Sequence, residues 1–304
     1  MSAATNKTVI IIAGPTAVGK TAVAIRLAKY FETEIISADS RQCFKELSIG
    51  VARPSEQELK EVPHHFIASH SVQEELTAAT FEQFALQKIN ELFQVNDIVV
   101  MVGGTGLYIK AFCEGLDLIP EIDPAIRQEI VRSYEASGIN WLQEQLEKKD
   151  PLFSQAGEMQ NPQRMMRALE VVESTGQSIL SFRKGEKVKR DFNIIKIGLE
   201  LPKAELHSSI HMRVDNMMEA GLLEEVKRLV HFRNLNALQT VGYAEIFEYI
   251  DDNISLQKAM EQIKTHTRQY AKRQLTWFKK DKEFTWFHPS QVEKLKGIIT
   301  DALH

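Results

Sequence analysis

Apolar positions along the chain follow two patterns. Short continuous runs rich in β-branched residues predict buried strands at 8–13, 34–40, 97–104 and 193–201. A further run at 283–288 could add a late strand, and helical periodicity occupies 80–93, between the second and third runs. Because buried strands that alternate with helices are typical of a parallel sheet covered on both faces, we predict an α/β fold, a parallel sheet flanked by helices.

The region 117–190 has a different pattern, charged and helical without strand-like runs. It is bounded by LDLIPEIDP and RKGEKVKRD, and an apolar run follows at Asn193. We therefore predict a helical insertion domain at 117–192 within a discontinuous core formed by 1–116 and 193–304. The chain is helical again from Lys203 to about Lys280, which adds helices to the end of the core.

Composition restricts the compartment and the partners. With 304 residues, 43% of them hydrophobic, the chain can bury the core of one large domain or two. Cys43 and Cys113 form no CxxC pair, so a reducing compartment is the simplest interpretation. The start MSAATNKT is polar, and no stretch reaches the roughly 20 apolar residues of a membrane span. We expect a cytoplasmic protein with no membrane partner. The net charge of −4 argues against general attraction to nucleic acid, although a local basic patch would suffice.

The strongest motif is GPTAVGKT at 14–21, between the first strand-like run and an amphipathic helix. It fits GxxxxGK[ST] without mismatch, which predicts a P-loop, a loop whose backbone N–H groups and lysine hold phosphates at the positive end of a helix. A glycine-rich turn that binds nothing is the alternative. Thr21 would place its hydroxyl on Mg²⁺, the expected cofactor. The predicted diphosphate-binding residues are Gly14, Pro15, Thr16, Ala17, Val18, Gly19, Lys20 and Thr21.

Polar residues follow two further strand-like runs, where α/β proteins place their sites. Asp39 follows the second run, and a carboxylate there could act as a general base or a magnesium ligand. A helix N-cap or a turn is the alternative. GGTG at 103–106 follows the third run, and its glycines let the backbone approach a ligand and free the Thr105 hydroxyl to point into the cleft. This tetrapeptide is a weak signal, because tight turns use the same residues.

Two segments indicate basic helices. In NPQRMMRALEVVESTG, Asn161 is the expected N-cap, Arg164 and Arg167 share one face of the helix, and the methionines can pack. The two arginines could either grip a phosphate or form a solvated face, and the sequence favours neither interpretation. In IKTHTRQYAKRQLTWFKKDK, the pattern predicts a helix that packs through its aromatic side and presents cations to a polyanion, which we favour over a solvated face. One side of this helix carries the cations Lys264, Arg268, Lys272 and Lys279, and another side beside it carries Ile263, Thr267, Tyr270, Gln274 and Trp277.

Adjacent histidines, His64 and His65, raise the hypothesis of a metal site. No His or Cys at ligand spacing accompanies them, so we favour structural or substrate-contact roles.

Seven blocks in order resemble the motif series of the tRNA dimethylallyltransferases, also called tRNA isopentenyltransferases. They cover about residues 9 to 280 and are GPTAVGKT, SADSRQCFKELSIGVARP, VPHHF, VGGTGLYIKAF, NPQRMMRALEVVESTG, LQTVGYAE and TRQYAKRQLTWF. Because no cysteine/histidine finger follows the core, a bacterial-type form is indicated.

The resemblance implies transfer of a dimethylallyl group from dimethylallyl diphosphate to N6 of adenosine 37, beside the anticodon of tRNA, with release of pyrophosphate. It implies Asp39 as general base, Lys20 as stabiliser of the leaving group and Thr105 at the substrate channel. The insertion would embrace the anticodon stem-loop, and we expect a monomer. The implied tRNA-binding residues are Asp39, Ser40, Arg41, Gln42, Arg127, Gln163, Arg164, Met165, Met166, Arg167, Gly242, Tyr243, Arg268, Lys272 and Arg273.

Some positions depart from the family pattern. Four departures are mild: Phe44, Val51, Arg53 and Asn161. The fifth is Ala244, where arginine is common, and its loss of a cation could weaken a tRNA contact. Three alternatives fit parts of the series: an adenylate isopentenyltransferase acting on free nucleotide, a P-loop small-molecule kinase, and a non-catalytic tRNA-binding protein.

Overall fold

The computed structural model describes residues 7–303, whose six strands form one parallel sheet. The order across the sheet is β3-β2-β4-β1-β5-β6. The strands are β1 (Thr8–Ala13), β2 (Ile35–Ser37), β3 (His64–His65), β4 (Ile98–Gly103), β5 (Asn193–Leu199) and β6 (Thr285–Phe287). The predicted α/β fold is therefore confirmed. The polar start of the chain and the core residues predicted at 1–6 and 304 lie outside the described residues.

The helices confirm most of the predicted helical regions. They are α1 (Lys20–Tyr30), α2 (Glu56–Glu61), α3 (Ala78–Leu92), α4 (Gly106–Glu114), α5 (Pro124–Lys149), α6 (Pro151–Ala156), α7 (Pro162–Thr175), α8 (Lys203–Glu219), α9 (Leu222–Arg228), α10 (Ala244–Ile250), α11 (Leu256–Phe278) and α12 (Val292–Leu303). No helix in the described range has the length and apolar content needed to cross a membrane.

The central strand β1 explains why the sheet is covered on both faces. All six of its residues are buried, and alternate side chains enter different hydrophobic clusters. Val9 and Ile11 belong to one cluster, whereas Ile10 and Ile12 belong to the other. Because successive side chains of a strand point to opposite faces, a continuous apolar run requires a hydrophobic layer on each side. Full burial of each isoleucine contributes about 1.5–3 kcal/mol.

Two strands differ from the prediction. The second run forms only β2, because the chain leaves the sheet at Ala38, whose N–H still bonds to Val102 O at 2.7 Å, and turns at Asp39. Strand β3 was not predicted, because two histidines at the sheet edge carry no apolar pattern. The predicted late strand is confirmed as β6.

The chain divides into two compact units. One comprises the chain up to Cys113 and from Lys189 onward, and the other comprises Glu114–Val188. The expected bounds of the insertion were 117 and 192. Within the second unit, α5 and α7 pack through their own hydrophobic cluster, which includes Leu142 and Leu169.

Candidate active site

The phosphate-binding motif forms a tight loop between β1 and α1. Gly14 has φ +152°, and a Cβ there would lie 2.6 Å from Leu199 O, so no larger residue fits. Ala17 and Gly19 also have positive φ. Helix α1 begins at Lys20, so its positive end faces the loop. Lys20 Nζ donates to Pro15 O at 2.8 Å, which folds the ammonium back over the loop.

A cavity of about 300 Å³, called the smaller cavity, opens beside this loop. Thr16, Lys20 and Thr21 line it on the loop side, and Asp39 lines it from the end of β2. Burial lowers the pKa of Lys20 to about 7, helped by the neighbouring Arg213 charge and opposed by Asp39. The cavity therefore has a cationic wall and is suited to an anion.

Arg213 and Gln274 are among the lining residues of the smaller cavity that were not predicted as site residues. Arg213 on α8 donates from Nη1 to Thr16 Oγ1 at 3.2 Å, and burial lowers its pKa while Asp39 opposes that shift. Gln274 on α11 accepts from Thr16 N–H at 2.8 Å and donates to Gly104 O at 2.9 Å, joining the two glycine loops. The position of Gln274 within the motif TRQYAKRQLTWF is a weak sequence indication of a role in the site. The sequence around Arg213 gives no such indication, because no motif surrounds it.

Asp39 occupies a turn immediately after β2. Its Oδ1 accepts from the N–H groups of Arg41 at 2.9 Å and Gln42 at 3.2 Å. The turn proposed as the alternative to a catalytic role is therefore present, and it fixes the carboxylate at the edge of the cavity. Turn formation and proton acceptance are compatible, because a carboxylate offers two oxygens.

The Thr105 hydroxyl does not point freely into the cleft. It accepts from Ser40 N–H at 3.0 Å and donates to Ser40 Oγ at 3.2 Å. Thr105 therefore supports the turn that carries Asp39. Gly103 has a packing reason to be glycine, because a Cβ would lie 2.1 Å from Ala38 O.

His64 also lines the smaller cavity. Its Nδ1 lies 2.8 Å from Val62 O, which requires the proton on Nδ1, and among residues 7–303 its buried Nε2 has no hydrogen-bond partner. Burial lowers the pKa of His64, which favours the neutral ring. His65 instead contacts Glu34 at 2.5 Å. No group of three or more His, Cys, Asp or Glu side chains within the described part of the chain could hold a metal ion.

A larger cavity of about 590 Å³ adjoins the first. Gly242, Ala244 and His266 line it, with Ser40 and Arg41. The residues that line both cavities are Thr16, Asp39, Val51, Ala52, Arg213 and Tyr270. Asp39 is therefore at the boundary between an anion cavity and a second compartment that opens nearby.

Helix α11 packs only partly as predicted. Ile263 and Gln274, on the side predicted to pack, are buried, but the aromatic residues of that side, Tyr270 and Trp277, are each 38% exposed. The packed stripe also includes Ala271 and Phe278, which the sequence pattern did not single out.

The predicted cations of α11 have different surroundings. Lys264 pairs with Asp215 at 2.6 Å, and Lys279 pairs with Glu200 at 2.7 Å. Arg268 donates to Thr265 Oγ1 at 3.0 Å. Lys272 and Arg273 are exposed, and the Arg273 guanidinium lies 5.8 Å from the centre of the Tyr270 ring.

Three predicted tRNA contacts have buried side chains. Met165 and Met166 lie in the hydrophobic cluster of the second unit, because they face α5 from the apolar side of α7. Tyr243 is fully buried, and its hydroxyl donates a hydrogen bond to Glu225 Oε1. The structure thus corrects the prediction for these side chains, which can act only by positioning their neighbours.

The three arginines of the second unit that were predicted to bind tRNA are each paired with a carboxylate. Glu170, which is buried, contacts Arg127 at 3.8 Å and Arg167 at 3.0 Å, and Arg164 pairs with Glu158. The Asn161 side chain accepts from Arg164 N–H at 3.2 Å, which confirms the predicted N-cap of α7. Gln163 and Arg164 are exposed, at the start of that helix.

A parallel sheet whose edge carries a phosphate-binding loop, a cationic cavity and an adjacent carboxylate defines the chain as a P-loop-like α/β protein. The IPP transferase family matches residues 42–281. The tRNA dimethylallyltransferase of Cytophaga hutchinsonii is 46% identical over 298 residues, 98% of each chain. That of Flavobacterium johnsoniae is 48% identical over 308 residues, 96% of this chain and all of the relative.

Solved structures give the same result. The full-length tRNA isopentenylpyrophosphate transferase of Bacillus halodurans superposes with a TM-score of 0.73 at 34% identity, over 98% of this chain and 97% of the other. A eukaryotic dimethylallyltransferase acting on tRNA gives 0.70 at 28% identity, over 89% of this chain and 69% of the other. The chain belongs to the IPP transferase family, and the predicted family resemblance is confirmed.

Proposed function

We propose that this protein transfers the dimethylallyl group of dimethylallyl diphosphate to N6 of adenosine 37 in tRNA, releasing pyrophosphate. The observation that carries the proposal is the position of Asp39, which lines both cavities beside the phosphate-binding loop. The names of the relatives and of the solved structures support the same activity. The smaller cavity would hold the donor, and the larger cavity would receive the adenine.

The chemistry follows from this placement. The adenine N6 forms a bond to the allylic carbon, the bond from that carbon to the diphosphate oxygen breaks, and its electron pair leaves with pyrophosphate. Asp39 takes the proton that N6 loses. Lys20, the loop N–H groups and Arg213 stabilise charge that develops on the leaving group, a role that preorganised donors perform without reorganisation.

We also propose that the Thr21 hydroxyl holds Mg²⁺. Thr21 and Asp39 line the smaller cavity, and hydroxyl, carboxylate and phosphate oxygens are ligands that this ion prefers. When bound, the ion would neutralise part of the diphosphate charge.

The acceptor base must leave its stack to reach Asp39. This costs a few kcal/mol and is least costly in a single-stranded loop, which favours an anticodon loop over a duplex. The insertion, with Arg127, Arg164 and Arg167, would grip the stem-loop phosphates, and the protein would act in the cytoplasm as a monomer.

Labelled dimethylallyl diphosphate and Mg²⁺, offered to the purified protein with unmodified anticodon stem-loop RNA or with AMP, test this function. We expect label on the stem-loop alone. Label on AMP would indicate a free-nucleotide transferase, and phosphate transfer from labelled ATP in a parallel reaction would indicate a kinase.

Lys272 and Arg273 provide a test of RNA contact by α11. Reversing both charges, with Lys272→Glu and Arg273→Glu, is expected to weaken stem-loop binding at least about tenfold and to lower the slope of log affinity against log salt by about 1 to 2, because each phosphate contact releases counterions. Filter binding at several salt concentrations measures both quantities.

The matched control reverses two exposed lysines on other helices, with Lys60→Glu and Lys294→Glu. Its change in net charge is identical. An equal loss of affinity in both proteins would therefore assign the effect to overall charge, and it would indicate that Lys272 and Arg273 form a solvated face that does not contact the RNA.

A further inference from the structure

Glu225 on α9 is a buried carboxylate with four hydrogen bonds. It is 4% exposed, and it accepts from the N–H groups of Ser48 at 3.2 Å, Ile49 at 2.8 Å and Gly50 at 3.0 Å and from the Tyr243 hydroxyl at 2.6 Å. A buried carboxylate without such partners would be strongly unfavourable, so these donors and the charge depend on each other. Glu225 therefore fastens the start of the segment 48–53.

The far end of the same segment is fastened by Gln42. Its Nε2 donates to Val51 O at 3.2 Å and to Ala52 O at 2.9 Å. Ala52 has φ +48°, a conformation that a non-glycine residue keeps only when its surroundings hold it. The segment is therefore held at both ends in a strained conformation.

Tyr243 also holds the segment 48–53 in place. A Cβ added at Gly50 would lie 2.5 Å from the Tyr243 ring, so the ring packs directly on the backbone of the segment. Burial and the Glu225 charge raise the pKa of Tyr243, so its hydroxyl remains a neutral donor. The packing and the hydrogen bond place the segment in one position.

This position matters because the segment is a wall of both cavities. Val51 and Ala52 line the smaller and the larger cavity, and Gly50 lines the larger one. A shift of the wall would change the distance between groups bound in the two compartments. Glu225 itself lies behind the wall and contacts neither compartment directly.

We propose that Glu225 is a positioning residue that fixes the segment 48–53 and thereby aligns the donor carbon with the acceptor nitrogen. The inference rests on the proposed function. Misplacement of reacting groups by about 1 Å can reduce a rate on the order of 100-fold. Loss of the Glu225 carboxylate should therefore reduce turnover more than it reduces donor binding.

Glu225→Gln is the test, because it keeps the size of the side chain but turns an NH₂ group toward N–H donors. We expect kcat, normalised to donor-binding sites counted by calorimetry, to fall about 10- to 100-fold, with the donor KM within about threefold of wild type. Tyr243→Phe removes one of the four donors and should reduce kcat by about two- to fivefold. Because Tyr243→Phe is the milder substitution, its kcat still tests the positioning role if the Glu225→Gln protein is poorly soluble.

The matched control is Lys196→Gln. Lys196 on β5 is another buried charge, held by Asp281 at 2.7 Å and Glu283 at 2.6 Å, and it is not part of the wall. We expect a lower melting temperature in this variant with kcat unchanged. Equal kcat losses in Lys196→Gln and Glu225→Gln, or no loss in Glu225→Gln, would overturn the positioning role.

Amide hydrogen exchange separates this inference from the proposed function, because it needs no substrate. Glu225→Gln should speed exchange at Ser48, Ile49 and Gly50 by at least about tenfold relative to wild type, since exchange reports local opening. Unchanged exchange would refute the fastening even in an active enzyme. Absence of transfer activity in the wild-type protein, together with faster exchange in Glu225→Gln, would refute the function and retain the fastening.

Discussion

Asp39→Asn is expected to reduce the single-turnover rate of transfer about 10²- to 10⁴-fold, the range that a general base contributes. Asparagine keeps an oxygen that accepts from Arg41 N–H and Gln42 N–H, so the turn persists, but the amide cannot take the N6 proton. Donor and stem-loop affinities should stay within a few-fold of wild type. Rapid-quench kinetics with saturating enzyme measure the chemical step separately from binding.

Asp97→Asn is the control for this substitution, because Asp97 is an exposed carboxylate that pairs with Lys7 outside both cavities. It should leave the rate unchanged. A rate near wild type in Asp39→Asn would remove Asp39 from the base role and leave it as a turn residue.

The second large effect expected is a dependence of donor affinity on pH, which arises from Lys20. Its pKa is about 7, so the ammonium is charged below pH 7 and loses its proton above it. A bound diphosphate raises this pKa, since an opposite charge favours the protonated form. Affinity for the donor should therefore be greatest below pH 7 and should fall as the pH rises, by up to about tenfold per unit until the pKa of the complex is reached.

Isothermal titration of the donor from pH 6 to 9 at constant Mg²⁺ measures this dependence. The Lys20→Met variant should bind the donor more weakly at every pH, and its affinity should lack the pH dependence that Lys20 contributes. Ionisation of the donor itself affects both proteins equally, so the ratio of their dissociation constants isolates the lysine. A ratio that does not change with pH would show that Lys20 stays charged throughout.

Local signals carried much of the prediction. The apolar run of β1 and the motif at 14–21 depend on neighbouring residues, so strand, loop and helix start could be derived from the sequence. Asn161 caps α7 by bonding three residues ahead, which is also local. The family followed from seven motifs in order, and the comparisons confirm it.

The prediction was weakest where contacts join distant parts of the chain. Periodicity identified α11 as a helix but assigned its aromatic side to the interior, because a helical pattern does not say which neighbours cover each stripe. Trp277 lies against Gly106 but stays 38% exposed, and Gln274 enters the interior to join two loops.

The sequence by itself determined that this chain forms a parallel sheet with a phosphate-binding loop, and it placed Asp39 at the end of a strand. Only the tertiary structure decided that Arg213 reaches Thr16 from 197 residues away and that Glu225 holds the backbone at 48–50. The physical reason is that loop and strand signals depend on neighbouring residues, whereas a buried charge becomes favourable only when the whole chain brings donors around it.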